Sequence, residues 1–332
     1  APVSVRSGDT SMSAAAALPL YAYATQLGLY QPCAVLHDVA ADAPFSMLRD
    51  MQQGLLQQHC DVLSASGLLP ADGPAMAASS KLDALNLTTA ARRLGMVNIS
   101  LGLWSAINAT YAQAYSRHDA TEPVCGVAFA VVDESGQARA STRSERAAWF
   151  AASSGIAPTA GVELIDASGS KLTGTENLLA RARCWQSLWQ ESETVLRASI
   201  AATRASGNIN NIPVLIVHGR SDALIAVNHS SRPYVAAAIQ QGSKVHYYEI
   251  EHAQHFDALL GVPGMREHIV AIHPYFLAAL EQAWAHLRTG HDLAPSQVVR
   301  DLPEMEMTRP EFSAEPGSNA IEYSGAVLDI PR

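Results

Sequence analysis

The chain has 332 residues, of which 48% are hydrophobic and 16% charged, which excludes a disordered polypeptide and leaves room for one large domain or two ordinary ones. Its formal net charge of −9, without any basic run, argues against nucleic acid or an anionic membrane surface as a partner. The most apolar runs fall far short of the roughly 20 residues that span a bilayer, so no transmembrane helix is expected.

The first residues, from Ala1 to Arg6, contain neither an initiating Met nor the basic and then apolar pattern of a signal peptide. The chain is therefore predicted to be a processed or excised segment, with further polypeptide before Ala1. Its four cysteines form no C-x-x-C pair, which gives little support to zinc binding or thioredoxin-like chemistry. Their spacing leaves open two disulfides in an exported protein or four buried free thiols, and it gives no pairing among Cys33, Cys60, Cys125 and Cys184.

Residues 1–210 are predicted to form a mainly helical region. From about residue 12 to residue 120 the chain is rich in Ala, Leu and Gln, and its apolar residues recur at helical spacing. Several short helices are expected here rather than one long helix. The predicted stops are Pro32, Pro44, Gly67 with Pro70, and Gly73 with Pro74. Helical periodicity returns from Glu176 to about Ala205.

The pattern differs between Pro123 and about Leu172, where the helical periodicity is interrupted. Val127–Val132 is an apolar run that predicts a strand, and Asp133–Gly136 behind it predicts a turn. The stretch from residue 155 to residue 169 is predicted to be irregular.

Residues 211–290 have the pattern of a core α/β unit. Pro213–Val217 is a short, wholly apolar run, as in a strand that is buried on both faces of a parallel sheet. It is followed by a loop ending at Asp222, a helix over 232–241, a second strand over 244–250, a loop ending at His255, and a helix over about 265–287. This order predicts parallel strands with a right-handed crossover, whose loops lie where open α/β sheets bind ligands. Residues 291–332 are predicted to be an extended tail packed on this core.

Asp222 and His255 are the candidate catalytic residues. A hydroxyl nucleophile needs a base within hydrogen-bond reach, and the base needs a carboxylate that fixes its tautomer and stabilises its cation. In α/β-hydrolases these parts occur in the order serine, acid, histidine, and Asp222 and His255 follow successive strands in that order. Taken alone, each has a plainer interpretation, as a loop aspartate that binds backbone N–H groups or as a helix-cap histidine. Their pairing favours the catalytic interpretation.

His252 is the main rival to His255 as the base, because it lies only three residues before it. A His-x-x-His pair would also suit a metal. No H-E-x-x-H motif or further carboxylate cluster accompanies the pair, so no metal site is predicted. The remaining histidines of this part, His218, His246 and His273, are predicted to be structural.

The chain contains no G-x-S-x-G motif, the signature of a nucleophilic serine on a sharp strand-to-helix turn. Ser11 is the nearest match, but too few residues precede it to form the required strand. Ser64–Gly67, Ser154–Gly155 and Ser168–Ser170 lack the buried strand and the flanking glycines. The nucleophile is therefore expected upstream of Ala1. The helical region would then be a large insertion before the acid strand, where such enzymes usually have a lid.

Several segments together resemble the 3-hydroxybutyrate oligomer hydrolases, also called hydroxybutyrate-dimer hydrolases. Motifs such as G-R-S-D and Q-H-F are weak individually, but this many pieces in order are specific, and they cover most of the chain. The segments are Leu29–Cys33, Pro158–Val162, Gly219–Asp222, Val227–His229, Gln254–Asp257, Trp284–Leu287, Pro295–Val298 and Gly317–Ile321.

The resemblance implies the C-terminal part of an α/β-hydrolase fold with a large, mainly helical lid insertion. It implies hydrolysis of short (R)-3-hydroxybutyrate oligomers to monomers by a serine esterase without metal or organic cofactor, with Asp222 and His255 as acid and base. It also implies a secreted or periplasmic protein, which favours disulfides. Family members are longer and have their serine in the N-terminal part. The expected partners are therefore that missing half and a small ester substrate, and this chain alone is expected to be inactive.

Two alternatives remain. A tannase-like or feruloyl-esterase-like hydrolase, or a peptidase, would use the same Asp and His loops on another substrate. Relative rates on 3-hydroxybutyrate dimer, aryl esters and peptides separate these enzymes. A chain without a nucleophile would also fit a non-catalytic, truncated lid and binding half. If such a half acts only with another polypeptide, adding an N-terminal fragment restores activity.

Overall fold

The computed structural model of the chain describes residues 3–8, 10–38, 45–100, 102–119, 121–151, 161–172, 178–190, 195–210, 212–300 and 310–332. Within these ranges the protein has ten α-helices and ten β-strands. The mixed α/β class predicted from the sequence is confirmed. None of the helices in these ranges is both long and apolar enough to cross a membrane.

Two short strands and a layer of five helices form the first part of the chain. They are β1 (Ser4–Ser7), β2 (Thr10–Ser13), α1 (Leu20–Asp38), α2 (Phe45–Ala65), α3 (Pro74–Asp83), α4 (Thr89–Ser100) and α5 (Leu103–Ser116). α1 lies in the middle of the layer and contacts each of the other four helices. Its Tyr23, Leu27 and Cys33 side chains are fully buried there. The predicted series of helices is confirmed.

The predicted helix stops are only partly right. α2 ends at Ala65 before Gly67, and α3 begins at Pro74, as predicted. The stop at Pro32 is wrong, because Pro32 lies inside α1 and is buried. A proline inside a helix removes one backbone hydrogen bond and clashes with the preceding turn. Packing of α1 on four neighbouring helices outweighs that cost here. The stop at Pro44 lies outside the described residues.

A three-stranded antiparallel sheet and three helices follow. They are β3 (Val127–Val132), β4 (Ala138–Arg139), α6 (Arg143–Ala151), β5 (Val162–Asp166), α7 (Leu178–Gln190) and α8 (Val195–Thr203). The strand and turn predicted here are confirmed, since Gly136 N donates to Asp133 O behind β3. The prediction of irregular structure is wrong for β5, because β3 offers it a ladder of backbone partners and Ile165 becomes buried. Residues 152–160, including Ser154, lie outside the described ranges.

Two disulfides connect elements within the first 210 residues of the chain. Cys33 in α1 is bonded to Cys60 in α2, and Cys125 before β3 is bonded to Cys184 in α7. The sequence left disulfides and free thiols as equal choices, and the structure contains the disulfides. Both bonds close long loops, so they restrict the unfolded chain and thereby stabilise the fold.

The parallel sheet lies in the C-terminal part of the chain. Its elements are β6 (Val214–Gly219), α9 (Ser231–Gln240), β7 (Val245–Ile250), α10 (His273–Thr289) and β8 (Gln297–Val299). The three strands run parallel in the order β6–β7–β8. α9 joins β6 to β7 and packs on β7. The predicted order of strand, loop, helix, strand, loop and helix is confirmed.

Two details of this unit differ from the prediction. Most of β6 is half-buried rather than buried on both faces, because β6 lies at the edge of the parallel strands that the structure describes. The last helix begins at His273, and only a short 3-10 turn occurs at Met265–Glu267. Pro274 accounts for this start, since proline is favoured in the first turn of a helix.

The end of the chain pairs with its beginning. β9 (Glu322–Ser324) and β10 (Val327–Ile330) complete a four-stranded sheet in the order β2–β1–β10–β9, with β1 and β10 parallel. Val5 and Leu328 are buried in this sheet beside Val235 of α9. This contact fixes both ends of the described chain against the unit that contains the parallel sheet.

The loop after β6 is packed between the parallel sheet and the helical layer. Ala223 and Leu224 are buried among apolar side chains of the layer. Asn98 Nδ2 of α4 donates to Ala223 O at 2.8 Å, and His229 Nε2 donates to Leu85 O at 2.7 Å. The helical layer therefore fixes the position of the loop that contains Asp222.

Candidate active site

Asp222 lies directly after β6, and its side chain is 2% exposed. The loop turns back at this point, where Asp222 N donates to Gly219 O at 3.1 Å. Its Oδ1 accepts hydrogen bonds from Leu224 N and Ile225 N, both at 2.8 Å. These bonds are those of an ordinary loop aspartate. They fix the carboxylate and leave Oδ2 for other donors.

His255 lies in the loop after β7, and its Nδ1 is 2.8 Å from Oδ2 of Asp222. The side chain of His255 is 27% exposed and packs edge-on against Phe256. The structure thus brings the two predicted residues together. Their contact follows from the topology, since neighbouring parallel strands end at the same edge of a sheet.

Hydrogen bonds join the two loops to each other. Ser221 N donates to Ala253 O at 3.1 Å. The Oε1 atom of buried Gln254 accepts from Ala223 N of one loop at 2.8 Å and from His255 N of the other at 2.9 Å. Gln254 therefore sets the distance between the carboxylate and the imidazole. Apart from the position of Gln254 next to the histidine, no feature of the sequence indicated this role.

The carboxyl group of Asp222 is ionised. Burial by itself raises its pKa, but hydrogen bonds from His218 and His255 and the charges of both rings lower the pKa to about 2. Because a carboxylate can only accept, His255 donates from Nδ1. Nε2 makes no hydrogen bond within the part of the chain that the structure describes. A neutral ring held in this way has its lone pair on Nε2, which is the arrangement that a general base requires.

His218, predicted to be structural, is a second neighbour of the same carboxylate. Its Nε2 lies 3.1 Å from Oδ2 of Asp222 and 3.0 Å from Ile225 O. The sequence feature that could have indicated this contact is the position of His218 four residues before the aspartate in His-Gly-Arg-Ser-Asp. A chain that turns back directly after a strand brings residues at this spacing together.

The rival residues have other environments. His252 is exposed in a left-handed turn with φ of 61° and is not the histidine bonded to the acid. Ser11 is exposed on β2, and Ser168 Oγ donates to Asp166 behind β5. Ser154 lies outside the described residues. Among the residues that are described, no group of three or more His, Cys, Asp or Glu side chains could hold a metal ion.

An open groove of about 810 Å³ borders His255. Its walls come from β6, the His255 loop and α10, and they are mostly apolar. The apolar lining includes Leu215, Val217, Phe256, Phe276 and Leu280. Along α10 the apolar surface continues with side chains that are 52–75% exposed, namely Phe276, Leu280, Trp284 and Leu287. The candidate base therefore borders a large apolar surface, of the kind that marks a binding site.

Gly219, the last residue of β6, lies directly against the backbone of the loop that contains His255. A Cβ atom there would lie 2.5 Å from Ala253 O, a backbone atom that cannot move aside alone. We expect Gly219→Ala to lower the free energy of unfolding by about 1–3 kcal/mol, as overpacking does, and to separate the acid from the base. Thermal unfolding checks this, with Gly261→Ala as the control because its Cβ would meet no atom within 4 Å. Equal melting temperatures for the two variants would contradict the expectation.

The low pKa of Asp222 predicts a loss of stability in acid. Its pKa is about 2 in the folded protein against an ordinary value of 3.8, so the carboxylate stabilises the fold above about pH 4 and this contribution is lost as the pH falls toward 2. The pKa difference corresponds to about 2 kcal/mol. Urea unfolding of the wild type should show this extra loss relative to Asp222→Asn. If the free energy of unfolding fell equally with pH in the two proteins, this prediction would be wrong.

The fold and the site together define a mixed α/β protein with an Asp–His pair at the carboxyl edge of a parallel sheet. Enzymes that activate a nucleophile use this arrangement, in which a buried carboxylate holds the Nδ1 of a partly exposed histidine.

The chain belongs to the 3HB-oligomer hydrolase family, which it matches over residues 1–332. It is 35% identical over 340 residues to the D-(-)-3-hydroxybutyrate oligomer hydrolases of Burkholderia mallei strain SAVP1 and Burkholderia pseudomallei strain K96243. These alignments cover 94% of this chain and 48% of each relative, so the chain spans about half the length of the curated relatives it matches. No solved structure matches the chain. The family resemblance predicted from the sequence is confirmed.

Proposed function

We propose that this chain supplies the acid and the base of a serine-type esterase that hydrolyses short (R)-3-hydroxybutyrate oligomers to monomers. The main support is the pair of Asp222 and His255, in which a buried carboxylate holds Nδ1 and leaves Nε2 free beside an apolar groove. The names of the relatives support the substrate class.

In the proposed reaction a serine hydroxyl attacks the ester carbonyl while Nε2 of His255 takes its proton. Backbone N–H groups near the serine bind the oxyanion of the tetrahedral intermediate. When the intermediate collapses, His255 returns the proton to the leaving hydroxybutyrate alkoxide. Water then attacks the acyl-enzyme by the same route and releases the acid. Asp222 remains ionised throughout and stabilises the His255 cation.

We assign the serine to the polypeptide that the relatives have beyond the half matched by this chain. The absence of a G-x-S-x-G motif from this sequence supports the assignment. So does the surface beside His255, where the outer edge of β6 has no partner among the described strands and Phe276 and Trp284 of α10 are exposed. The other half would add a parallel strand at β6 and cover the apolar side chains of α10. The chain alone would then be inactive.

The proposed architecture is the C-terminal part of an α/β-hydrolase fold. Residues 211–290 would supply its parallel strands β6 and β7 with their helices, and residues 1–210 a mainly helical lid or insertion. Residues 291–332 would be a tail on the core that adds β8 to the same sheet. The position of both catalytic loops at the carboxyl ends of β6 and β7 supports this assignment. Crystals of a whole relative test it, and a sheet that ends at β6 would contradict it.

A secreted or periplasmic location is proposed because the fold contains two disulfides, which persist in oxidising compartments. If the protein is taken directly from the organism that produces it and treated at once with an alkylating reagent, no cysteine should react. Four reactive thiols would contradict an exported location.

A fluorophosphonate tests the position of the nucleophile, since it bonds covalently to a serine that a base has activated. The whole Burkholderia mallei relative is labelled, digested and analysed by mass spectrometry, and the present chain is treated in parallel. We expect the label on a serine outside the half that this chain matches, and none on this chain. Label on Ser11 or on any other serine of this chain would contradict the proposal.

The substrate class is tested with a hybrid enzyme, in which this chain replaces the matched half of the Burkholderia mallei relative. The hybrid enzyme should hydrolyse 3-hydroxybutyrate dimer faster than aryl esters or peptides. The reverse order would favour a tannase-like, feruloyl-esterase-like or peptidase activity.

A further inference from the structure

A buried series of hydrogen bonds leads from Asp222 through His218 to Glu249. Nε2 of His218 faces Asp222, and its Nδ1 is 2.7 Å from Ser231 Oγ. Ser231 Oγ is 2.6 Å from Tyr247 OH, and this hydroxyl is 2.8 Å from Glu249 Oε1. Ser231, Tyr247 and Glu249 are all buried. The available hydrogen atoms must therefore be shared among these groups, and their number fixes the direction of each bond.

The direction is set at the Glu249 end. Arg232 donates to both carboxylate oxygens of Glu249, from Nε at 2.6 Å and from Nη2 at 2.8 Å. Burial by itself raises the pKa of Glu249, but the charge and the hydrogen bonds of Arg232 lower it below its ordinary value. Glu249 is therefore an ionised acceptor, and Tyr247 donates its one hydroxyl hydrogen to it.

The other bonds follow from counting hydrogens. Tyr247 has donated its hydrogen, so its oxygen accepts from Ser231. Ser231 has then used its only hydrogen, so its Oγ accepts from Nδ1 of His218. On the other side of the ring, Nε2 faces two acceptors, Oδ2 of Asp222 and the carbonyl of Ile225, so it also bears a hydrogen.

We infer that His218 donates from both ring nitrogens as an imidazolium, and that its charge keeps Asp222 ionised and directed at His255. A neutral His218 would leave one of these partly buried contacts without a hydrogen, at the cost of an unmade hydrogen bond. His218 is thus a positioning residue, since it acts on the base only through the carboxylate. Its charge is inferred from the hydrogen-bond geometry together with the ionised Glu249, whereas its effect on catalysis rests on the proposed function.

Charged and titratable groups of several elements lie next to His218 or next to the residues that its hydrogen-bond series joins. They are Asp222 and His255 of the two loops, Tyr23 of α1, Arg220 after β6, Arg232 of α9, and Tyr247 and Glu249 of β7. The two anions lie at opposite ends of the series. Asp222 lies against His218, and Glu249 lies against both Arg232 and Arg220.

Nitrogen-15 NMR of the histidine rings tests the inference on this chain as it is, without any assay of hydrolysis. At pH 8, where an ordinary exposed histidine is neutral, we expect His218 to be protonated on both nitrogens. We expect His255 in the same spectrum to be protonated on Nδ1 only. An unprotonated ring nitrogen on His218 at this pH would overturn the inference.

Ser231→Ala tests the part that the hydrogen-bond series plays. It removes the acceptor of Nδ1, so we expect His218 to lose the hydrogen from Nδ1 and become neutral at pH 8. Ser243→Ala is the matched control, because that hydroxyl donates to Gly207 O beyond the end of α9. An unchanged, doubly protonated His218 in Ser231→Ala would contradict the hydrogen count.

The catalytic effect is tested with His218→Gln in the hybrid enzyme, since glutamine keeps a donor for Asp222 but has no charge. We expect kcat to fall roughly tenfold with little change in KM. An unchanged kcat would refute the positioning role. An inactive hybrid enzyme combined with a doubly protonated His218 would instead refute the proposed function and leave the inferred charge intact.

Discussion

His255→Ala should lower the kcat of the hybrid enzyme on 3-hydroxybutyrate dimer by about 10⁴-fold or more. The imidazole takes the serine proton and returns it to the leaving group in both halves of the reaction, so no step proceeds normally without it. KM should change little, because the imidazole acts on the proton of the reacting hydroxyl and contributes little to binding of the substrate before the reaction. Steady-state kinetics on the purified hybrid enzyme measures both constants.

His252→Asn is the matched control for this prediction. His252 lies three residues earlier in the same loop, and asparagine tolerates its left-handed backbone. It is exposed and makes no contact with Asp222, so the variant should retain nearly full kcat. If His252→Asn abolished activity and His255→Ala did not, the assignment of the base would be wrong.

Glu249→Gln should lower the free energy of unfolding by about 3–5 kcal/mol, the cost of breaking a buried ion pair from one side. The Glu249 side chain is fully buried, and that of Arg232 is 3% exposed. Loss of the carboxylate leaves the Arg232 charge without its counter-ion and weakens the hydrogen bond from Tyr247. Urea unfolding of this chain measures the change.

Two further comparisons separate the effect of burial from the effect of charge. Glu163 and Lys171 form an ion pair whose side chains are 38% and 42% exposed, so Glu163→Gln should cost less than about 1 kcal/mol. Replacing both buried partners, as in Glu249→Leu with Arg232→Met, should be less destabilising than Glu249→Leu alone. Equal losses for Glu249→Gln and Glu163→Gln would contradict the view that burial makes the Glu249 pair sensitive.

The parallel strands could be predicted from the sequence because their signals are local. β6 is a short, mostly apolar run and β7 is a short run of mainly β-branched and aromatic residues; each ends in a polar loop and forms within a few residues of its predicted bounds. Structure that depends on distant contacts was missed. α1 continues through Pro32 because other helices surround it, and β5 forms because β3 pairs with it.

In the candidate site, too, some contacts could be predicted from the sequence and others could not. Asp222 and His255 could be predicted as neighbours, because consecutive parallel strands place the loops behind them at one edge. The contacts of His218 and Gln254 were not predicted, since they depend on how each loop turns back on itself. Buried Glu249 gave no signal either, because its partner Arg232 lies on the crossover helix α9.

Hydrolysis of 3-hydroxybutyrate dimer by this chain alone and by the hybrid enzyme tests the central claim most directly. The claim is that this chain supplies the catalytic acid, Asp222, and the base, His255, whereas the nucleophilic serine lies in the half of the relatives that this chain does not match. We predict no hydrolysis by the chain alone, activity in the hybrid enzyme, and loss of that activity in Asp222→Asn and His255→Ala. Hydrolysis of the dimer by this chain alone would contradict the claim, because the nucleophile would then be one of its own residues.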